Sequence, residues 1–276
     1  MSTEVLPPAR TYLFVPGTRP ERFDKALASG ADRIVLDLED AVAIDDKATA
    51  RRVVATWLQK VEPEVRSRIV VRINDASSPC FGADLSALGD ADGIGVLLPK
   101  AESAAQIGET QAALPHAGIL ALIETARGVS EARRIATAGA QRLVFGTLDF
   151  ALDLDLDIST NGVGLIHAAS CIVIASRLAG LPSPVAGVTP QLDDEARLLS
   201  DLAEARHLGF GAKLCIHPRQ VAPIHAALRP SAGALDWAGR VLEADAASPG
   251  AARLDGRMVD RPVVLQARRT LALARD

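Results

Sequence analysis

The sequence is poor in aromatic residues and cysteine, and it lacks both a long apolar run and a block of basic residues. Aromatic residues make up 3% of its 276 residues, although apolar residues make up 49%. The core must therefore be built from Ala, Val, Leu and Ile, a composition that suits parallel strands covered by helices. We predict an α/β fold, and the length allows one large domain.

The cysteine content argues against a disulfide-stapled protein and against a zinc knuckle. Cys80, Cys171 and Cys215 are odd in number and share no CxxC spacing. Neither a disulfide framework nor a zinc knuckle is indicated, and a reducing compartment is expected.

Charge and hydropathy exclude two classes of partner. The formal net charge is −4, without a Lys/Arg block, so nucleic acid is not expected as a partner. No apolar run approaches the ~20 residues of a membrane span, and the opening "MSTEVLPPAR" has no targeting pattern. We predict a cytoplasmic protein without a membrane partner.

Eight short β-branched runs alternate with segments of helical pattern. A clear example of the latter is "DDEARLLSDLAEARHLGF", in which Leu198, Leu199 and Leu202 form one apolar face. Eight βα units in succession favour a closed (β/α)8 TIM barrel, which leaves no exposed sheet edge. We assign the barrel to residues 1–228, with strands at 11–17, 33–40, 68–74, 93–101, 118–126, 142–150, 185–190 and 212–218.

The remaining residues, 229–276, form a predicted C-terminal helical extension. Two helical patterns are separated by a link that is rich in Ala, Ser, Pro and Gly and is expected to be flexible at 247–256. The stretch "LDGRMV" indicates a hairpin.

Polar residues interrupt the apolar pattern at the carboxyl ends of the predicted strands, where barrel enzymes place their reacting groups. These residues are Asp37, Glu39, Asp40, Arg72, Asn74, Lys100, Glu102, Glu124, Asp149, Lys213 and His217.

Glu124 and Asp149 follow two successive strands, which are neighbours in a barrel. Two carboxylates completed by water and substrate oxygens are typical of Mg²⁺ sites. The alternative for each acid is to cap the following helix or to pair with an arginine. Asp153, Asp155 and Asp157 recur every second residue, but without the Gly and Glu of an EF-hand loop they indicate a solvated acidic loop.

The buried basic candidate is Arg72, which lies within a strand and needs an anionic partner. That partner is either a barrel carboxylate or a substrate oxygen. Lys100 and His217 likewise allow a structural or a functional interpretation, and a His before Pro is typical of a structural hydrogen bond. Cys215 lies two residues before His217, and this spacing alone does not indicate an activated thiol.

With these residues in view, the sequence resembles the citrate lyase beta subunit-like family of the HpcH/HpaI aldolase superfamily, which includes malyl-CoA and citramalyl-CoA lyases. The resemblance covers nearly the whole chain. It is carried by eight motifs in order, namely "LFVPGTRPERFDKAL", "VLDLEDAV", "VRIN", "LLPKAES", "ALIETARGV", "FGTLDFAL", "KLCIHPRQV" and "MVDRP".

The resemblance implies a (β/α)8 barrel, dependence on Mg²⁺ with Mn²⁺ as a substitute, and reversible carbon–carbon cleavage of a 3-hydroxyacyl thioester. The family's metal ligands match Glu124 and Asp149, and its substrate-binding arginine matches Arg72. Its coenzyme A contacts correspond to Phe14, Arg19 and Lys25. Without the resemblance, Arg19 and Lys25 would be interpreted as charges on a helix surface.

The motif "MVDRP" implies a contribution between subunits. In relatives the matching aspartate enters a neighbouring subunit's active site, so Asp260 becomes a catalytic residue supplied in trans by a homo-oligomer, expected to be a trimer. By itself, an Asp before Arg–Pro indicates a helix start. One departure concerns Leu148, where many relatives carry an acid; we expect it to lie on a strand and to point away from the metal.

The expected reaction is therefore a retro-Claisen-type cleavage of (S)-citramalyl-CoA to acetyl-CoA and pyruvate, with Arg72 and Asp260 as the catalytic residues. Alternatives are a citryl-CoA, citryl carrier-protein or L-malyl-CoA lyase, a malyl-CoA thioesterase, a free-acid pyruvate aldolase, and a non-catalytic acyl-CoA-binding subunit.

Overall fold

The computed structural model describes residues 9–89, 92–159, 161–248 and 252–274. Within them, eight parallel strands close a barrel in chain order, and β1 pairs with β8 through Thr11 and Lys213. The predicted (β/α)8 barrel is thereby confirmed. The strands are β1 (Thr11–Pro16), β2 (Arg33–Asp37), β3 (Ile69–Arg72), β4 (Gly95–Leu98), β5 (Gly118–Ile123), β6 (Arg142–Phe145), β7 (Val185–Ala186) and β8 (Ala212–Cys215).

Helices connect the successive strands on the outside of the barrel, and α10 follows the last strand. They are α1 (Phe23–Leu27), α2 (Lys47–Leu58), α3 (Pro63–Arg66), α4 (Phe81–Leu88), α5 (Ala104–Ala113), α6 (Ala126–Thr137), α7 (Thr147–Asp153), α8 (Ile166–Leu178), α9 (Glu195–Leu208) and α10 (Val221–Leu228). Short 3₁₀ turns occupy Pro20–Arg22, Ile44–Asp46, Val163–Leu165 and Pro218–Gln220. Among the described residues no helix is long and apolar enough to cross a membrane.

The barrel interior is filled by alternate residues of the strands, because successive side chains of a strand point to opposite faces. One buried cluster comprises Tyr12, Val35, Val70, Leu97, Leu120, Leu122, Val144, Val185, Ala212 and Leu214. This apolar plug makes the barrel a packed core. Groups that react with a solute must therefore lie above it, at the carboxyl ends of the strands.

All eight strands are shorter than the predicted runs. The sixth ends at Phe145 rather than at 150, because the carbonyl of Gly146 already accepts from the N–H of Phe150 and so starts α7. The seventh spans Val185–Ala186 and shares one register pair with β6, Val144↔Val185.

A second compact unit begins at His225, whereas the barrel unit comprises Ala9–Ile224. Its elements are α11 (Ala232–Ala247), the antiparallel pair β9 (Arg253–Leu254) and β10 (Arg257–Met258), and α12 (Arg261–Ala272). The predicted hairpin is confirmed, and its turn residues Asp255 and Gly256 have φ of 48° and 77°. Of the link expected to be flexible, residues 249–251 lie outside the described residues.

Candidate active site at the mouth of the barrel

The side chains that face the mouth follow from the same alternation that fills the core. Phe14, Asp37, Arg72 and Glu124 each lie two positions beyond an interior residue, namely Tyr12, Val35, Val70 and Leu122. A two-residue step preserves the face of a strand. One polar layer therefore sits directly on the apolar plug.

Arg72 is held by a two-pronged pair with Asp37. Its Nε lies 2.7 Å from Asp37 Oδ1 and its Nη2 lies 2.6 Å from Oδ2. Burial alone would lower the pKa of Arg72, but its hydrogen bonds to Asp37 and the nearby carboxylates raise it above the ordinary value. Of the two partners foreseen for Arg72, the structure thus supplies a barrel carboxylate.

The third nitrogen of Arg72 has partners that differ in exposure. Nη1 lies 2.8 Å from Glu39 Oε2 and 3.1 Å from Asp40 Oδ2. The side chain of Asp40 is 65% exposed, whereas that of Glu39 is 8% exposed. Burial raises the pKa of Glu39 to about 7, although Arg72 opposes the shift. Nη1 is consequently the nitrogen at which a solute can displace a solvated carboxylate.

Lys100 joins the two acidic groups of the mouth. Its backbone has φ 44°, a left-handed conformation that is uncommon for a residue with a side chain. Its N–H donates to Glu124 Oε1 at 2.8 Å, and its ammonium lies 3.6 Å from Glu39 Oε1. Burial would lower the pKa of Lys100, but the surrounding carboxylates, Glu39 foremost, raise it.

Glu124 is a buried carboxyl group with little to compensate its charge. It is 3% exposed. Burial foremost, opposed by the hydrogen bond from the Lys100 N–H and aided by the charge of Asp149, raises its pKa to about 8. Gly146 makes room for it, because a Cβ at that position would lie 2.5 Å from Glu124 Oε2.

Asp149 approaches Glu124 from a helix and not from a strand. It lies in the first turn of α7, which corrects the expected position at the end of the sixth strand. Leu148 is likewise in this helix, 44% exposed, so the strand-based reason for its outward direction was wrong. The two acids remain near enough for the charge of Asp149 to act on Glu124.

These two acids fit a hard divalent cation. Both offer only carboxylate oxygens, and a buried carboxylate such as Glu124 needs a positive partner in order to ionise. Among the described residues no group of three or more His, Cys, Asp and Glu is arranged to hold a metal. An ion at this site would therefore take its remaining ligands from water and solute, which is the habit of Mg²⁺.

The three expected coenzyme A contacts lie at and after the carboxyl end of β1. Phe14 faces the mouth, with Arg72 Cζ 4.9 Å from its ring centroid. Arg19 is exposed before the first 3₁₀ turn, and Lys25 is exposed in the last turn of α1. Phe14 thus lies at the mouth, and Arg19 and Lys25 are exposed in the segment that follows β1.

The two strand-end candidates of β8 do not join the mouth. Lys213 lies between the interior residues Ala212 and Leu214, so its side chain points out of the barrel. His217 Nδ1 accepts from the N–H of Arg219 at 3.2 Å and caps a 3₁₀ turn. Burial raises the pKa of Cys215 to about 12, which leaves no activated thiol there.

Asp260 caps a helix of the second compact unit. It precedes α12, and its Oδ1 accepts from the N–H of Val263 at 3.2 Å. The side chain is exposed, and the cap engages one of its two oxygens. The helix-start interpretation is confirmed, and a second oxygen remains for another contact.

Sequence reasoning missed the residues that position the acids. Gly146 was not singled out, although it lies two positions after the interior residue Val144 and so faces the mouth. Lys100 was noted without a role, and no local pattern reveals its left-handed backbone. The step of two from a buried position is the signal that could have found Gly146.

Comparison with known proteins places this geometry among relatives. The family described as HpcH/HpaI aldolase/citrate lyase matches residues 10–218. A citrate lyase subunit beta-like protein of Mycobacterium tuberculosis is 38% identical over 269 residues, 95% of this chain and 94% of that protein. A (3S)-malyl-CoA thioesterase of Cereibacter sphaeroides is 34% identical over 272 residues, 97% of this chain and 95% of that protein.

A solved structure gives the same result. The crystal structure of the protein CitE from M. tuberculosis, in complex with magnesium, acetoacetate and coenzyme A, aligns with a TM-score of 0.86 and 37% identity. The alignment covers 97% of this chain and 98% of that chain.

Proposed function

Because the chain belongs to the HpcH/HpaI aldolase/citrate lyase family, we propose that it is a Mg²⁺-dependent lyase that cleaves (S)-citramalyl-CoA to acetyl-CoA and pyruvate. The observation that carries the proposal is the buried Glu124 beside Asp149, in the layer that also holds Arg72. The CitE complex with magnesium, acetoacetate and coenzyme A supports the cofactor and the thioester.

Glu124 and Asp149 would hold the metal. Bound Mg²⁺ supplies Lewis-acid polarisation of the substrate's carboxylate and 3-hydroxyl oxygens. The N–H of Lys100 fixes one oxygen of Glu124, so the other oxygen is the one directed to the ion. Gly146 keeps the space beside that second oxygen clear.

Arg72 binds the part of the substrate that gains charge. Asp37 fixes two of its nitrogens, so the guanidinium is oriented before the substrate arrives. Nη1 exchanges the solvated Asp40 for a substrate oxygen. Such a preorganised donor stabilises developing negative charge without having to reorient during the reaction.

The proton balance requires a base. The hydroxyl proton passes to Asp260 of the partner subunit, the bond between C2 and C3 breaks, and its electron pair forms the enolate of acetyl-CoA. The carbinol carbon becomes the ketone of pyruvate, and the enolate carbon takes a proton. A homotrimer in which each Asp260 serves a neighbour would supply this base. Phe14, Arg19 and Lys25 hold the coenzyme A moiety.

A direct assay tests the proposal. The purified chain is incubated with (S)-citramalyl-CoA, with and without Mg²⁺, and pyruvate and acetyl-CoA are followed; L-malyl-CoA and citryl-CoA are run alongside. We expect Mg²⁺-dependent release of pyruvate that is faster than cleavage of the other two esters. Faster cleavage of another ester would identify that ester as the substrate instead. No cleavage of any of the three esters would contradict the proposed lyase activity.

A second candidate function is hydrolysis of malyl-CoA. The observation that favours it is the 34% identity to a (3S)-malyl-CoA thioesterase over 97% of this chain. The products separate the two activities, because hydrolysis consumes water and gives malate and free coenzyme A. Cleavage of the same ester gives glyoxylate and acetyl-CoA, so free thiol release in the assay identifies the thioesterase.

A further inference from the structure

A cavity of about 240 Å³ lies against the outer face of the barrel wall. Val144, Val185 and Ala212 point into the barrel, whereas their chain neighbours Phe145, Ala186 and Lys213 line the cavity. Because successive strand residues face opposite sides, the cavity lies between β6–β8 and the covering helices α8 and α9. Neither Glu124 nor Asp149 lines it, although Thr147 and Leu148, which precede Asp149 in α7, do.

The walls of this cavity are mostly apolar. Helix α8 contributes Leu165 from its N-cap and Ala169, and α9 contributes Ala205 and Leu208. Phe145 closes the strand side. An apolar cavity of about 150 Å³ accepts benzene, so a volume of about 240 Å³ holds a somewhat larger molecule.

Lys213 places one positive charge in this apolar wall. It is 2% exposed. An ammonium has three donors, and the described residues give this one a single hydrogen bond, 2.9 Å from its Nζ to the carbonyl of Gly187. In the described part of the chain no carboxylate lies within ion-pair distance of it. A buried cation of this kind is stabilised when an anion binds beside it.

The other charged groups around the cavity already have partners or lie in solvent. Asp201 of α9 accepts from Thr189 Oγ1 and from Arg197 Nε, at 2.7 Å each. Glu204 of the same helix is exposed at the rim. On β8, Cys215 is kept in the neutral thiol form by its raised pKa. The two cations and two acids of the lining balance formally, but Lys213 is the buried one among them that has no ion-pair partner in the described residues.

We propose that this cavity binds a small monocarboxylate with an apolar body of roughly six to eight carbons, and that Lys213 receives its carboxylate. The apolar chain lies among the α8 and α9 side chains. The ligand is distinct from the proposed thioester substrate, and neither of the two proposed metal ligands lines the site.

Protonation provides an additional signature. Burial lowers the pKa of Lys213 to about 8, although Asp201 opposes the shift and Arg197 adds to it. A bound carboxylate favours the charged ammonium. Binding should therefore take up a proton above pH 8, and the affinity for the carboxylate should fall as the pH rises further.

Calorimetric titration of the full-length protein with hexanoate and with neutral hexanamide tests the proposal. We expect hexanoate to bind at least tenfold more tightly than hexanamide. Lys213→Met should remove that preference while leaving hexanamide binding unchanged. Lys60→Met, which alters an exposed lysine after α2, should bind as the unaltered protein does.

A second variant covers the case in which Lys213→Met does not fold. Ala205→Leu narrows the cavity and keeps the ammonium, so it should weaken both ligands at least tenfold. Binding at the mouth would be unaffected by this change. No binding of hexanoate, equal affinity of the two ligands, or an unchanged affinity in Ala205→Leu would each overturn the proposal.

Discussion

Arg72 and Asp37 are register partners of adjacent strands, and their side chains form a two-pronged pair of 2.7 and 2.6 Å. The pair is therefore built into the alignment of β2 with β3. It fixes the guanidinium plane over the apolar plug and leaves Nη1 to the mouth. Because the pair uses two nitrogens of a planar guanidinium, only an arginine can form it at this position.

Arg72→Lys should keep the charge and lose the function. A lysine cannot form the fork with Asp37, so turnover should fall by roughly a hundredfold, the size of effect seen when one donor to a developing charge is removed. Arg72→Met, which removes the cation shared by Asp37, Glu39 and Asp40, should in addition lose about 3–5 kcal/mol of stability.

Steady-state kinetics and urea unfolding check both variants, with Arg52→Lys on the exposed face of α2 as the control. Native turnover by Arg72→Lys would contradict the assigned role.

Gly146→Ala should disable the site without unfolding the barrel. The added Cβ would lie 2.5 Å from Glu124 Oε2 and 2.6 Å from Glu124 Cβ, so Glu124 must move. We expect a loss of turnover of at least tenfold with circular dichroism unchanged.

Gly108→Ala is the matched control for this variant, because nothing lies within 4 Å of a Cβ there. This change within α5 should stabilise the protein by up to ~1 kcal/mol. Equal activities of the two variants would show that Glu124 needs no clearance.

Glu124→Gln should remove stabilisation by Mg²⁺. A ligand that binds only the folded state raises stability by ~3 kcal/mol at about a hundred times its dissociation constant, which raises the midpoint of thermal unfolding by several degrees. Glu109→Gln, an exposed change on α5, should retain this rise.

The same rise should depend on pH. A metal ligand must be deprotonated, and the pKa of Glu124 is raised to about 8 by burial. The Mg²⁺-induced rise should therefore grow between pH 6.5 and 8.5. A rise that persists in Glu124→Gln would mean that the ion binds elsewhere.

The barrel and the mouth residues carried by its strands could be predicted from the sequence, because both follow the two-residue alternation of strand side chains. Apolar runs of the right length predicted the strands, and polar residues at their ends predicted Arg72 and Glu124. The same reasoning misplaced Asp149, because an apolar stretch that continues from β6 into α7 has no local mark at the boundary except Gly146.

Other features depend on contacts between distant segments, which no local pattern encodes. The left-handed backbone of Lys100 is stabilised by Glu124, 24 positions away. The outward direction of Lys213 follows from its position in β8 between Ala212 and Leu214. Its cavity requires the packing of α8 and α9, which only the folded chain provides.

Asp260→Asn should separate catalysis from helix capping. Asn caps a helix about as well as Asp, so stability should change little, whereas the loss of the carboxylate should suppress turnover. Asp260→Ala should lose the cap as well, at about 1 kcal/mol. Kinetics and thermal unfolding of both variants test this prediction. Normal turnover in Asp260→Asn would show that Asp260 acts only as a helix cap.

Stability at alkaline pH should reveal the buried ammonium of Lys213. Burial lowers its pKa from 10.5 to about 8, so between these values the unfolded chain binds more protons than the folded chain. The free energy of unfolding should therefore rise with pH in this window, by up to ~3 kcal/mol from this residue. Lys213→Met lacks the rise.

Cys215 opposes this trend, because its raised pKa of about 12 makes the folded state hold a proton that the unfolded state loses near pH 9. The charge of Lys213 lowers the pKa of that thiol, so the contribution of Cys215 does not cancel between the two proteins. The quantity to measure by urea unfolding is thus the difference in unfolding free energy between Cys215→Ala and the double variant Cys215→Ala/Lys213→Met, at pH 7.5 and at pH 10. A difference that does not change with pH would show that Lys213 is charged and compensated in the folded state.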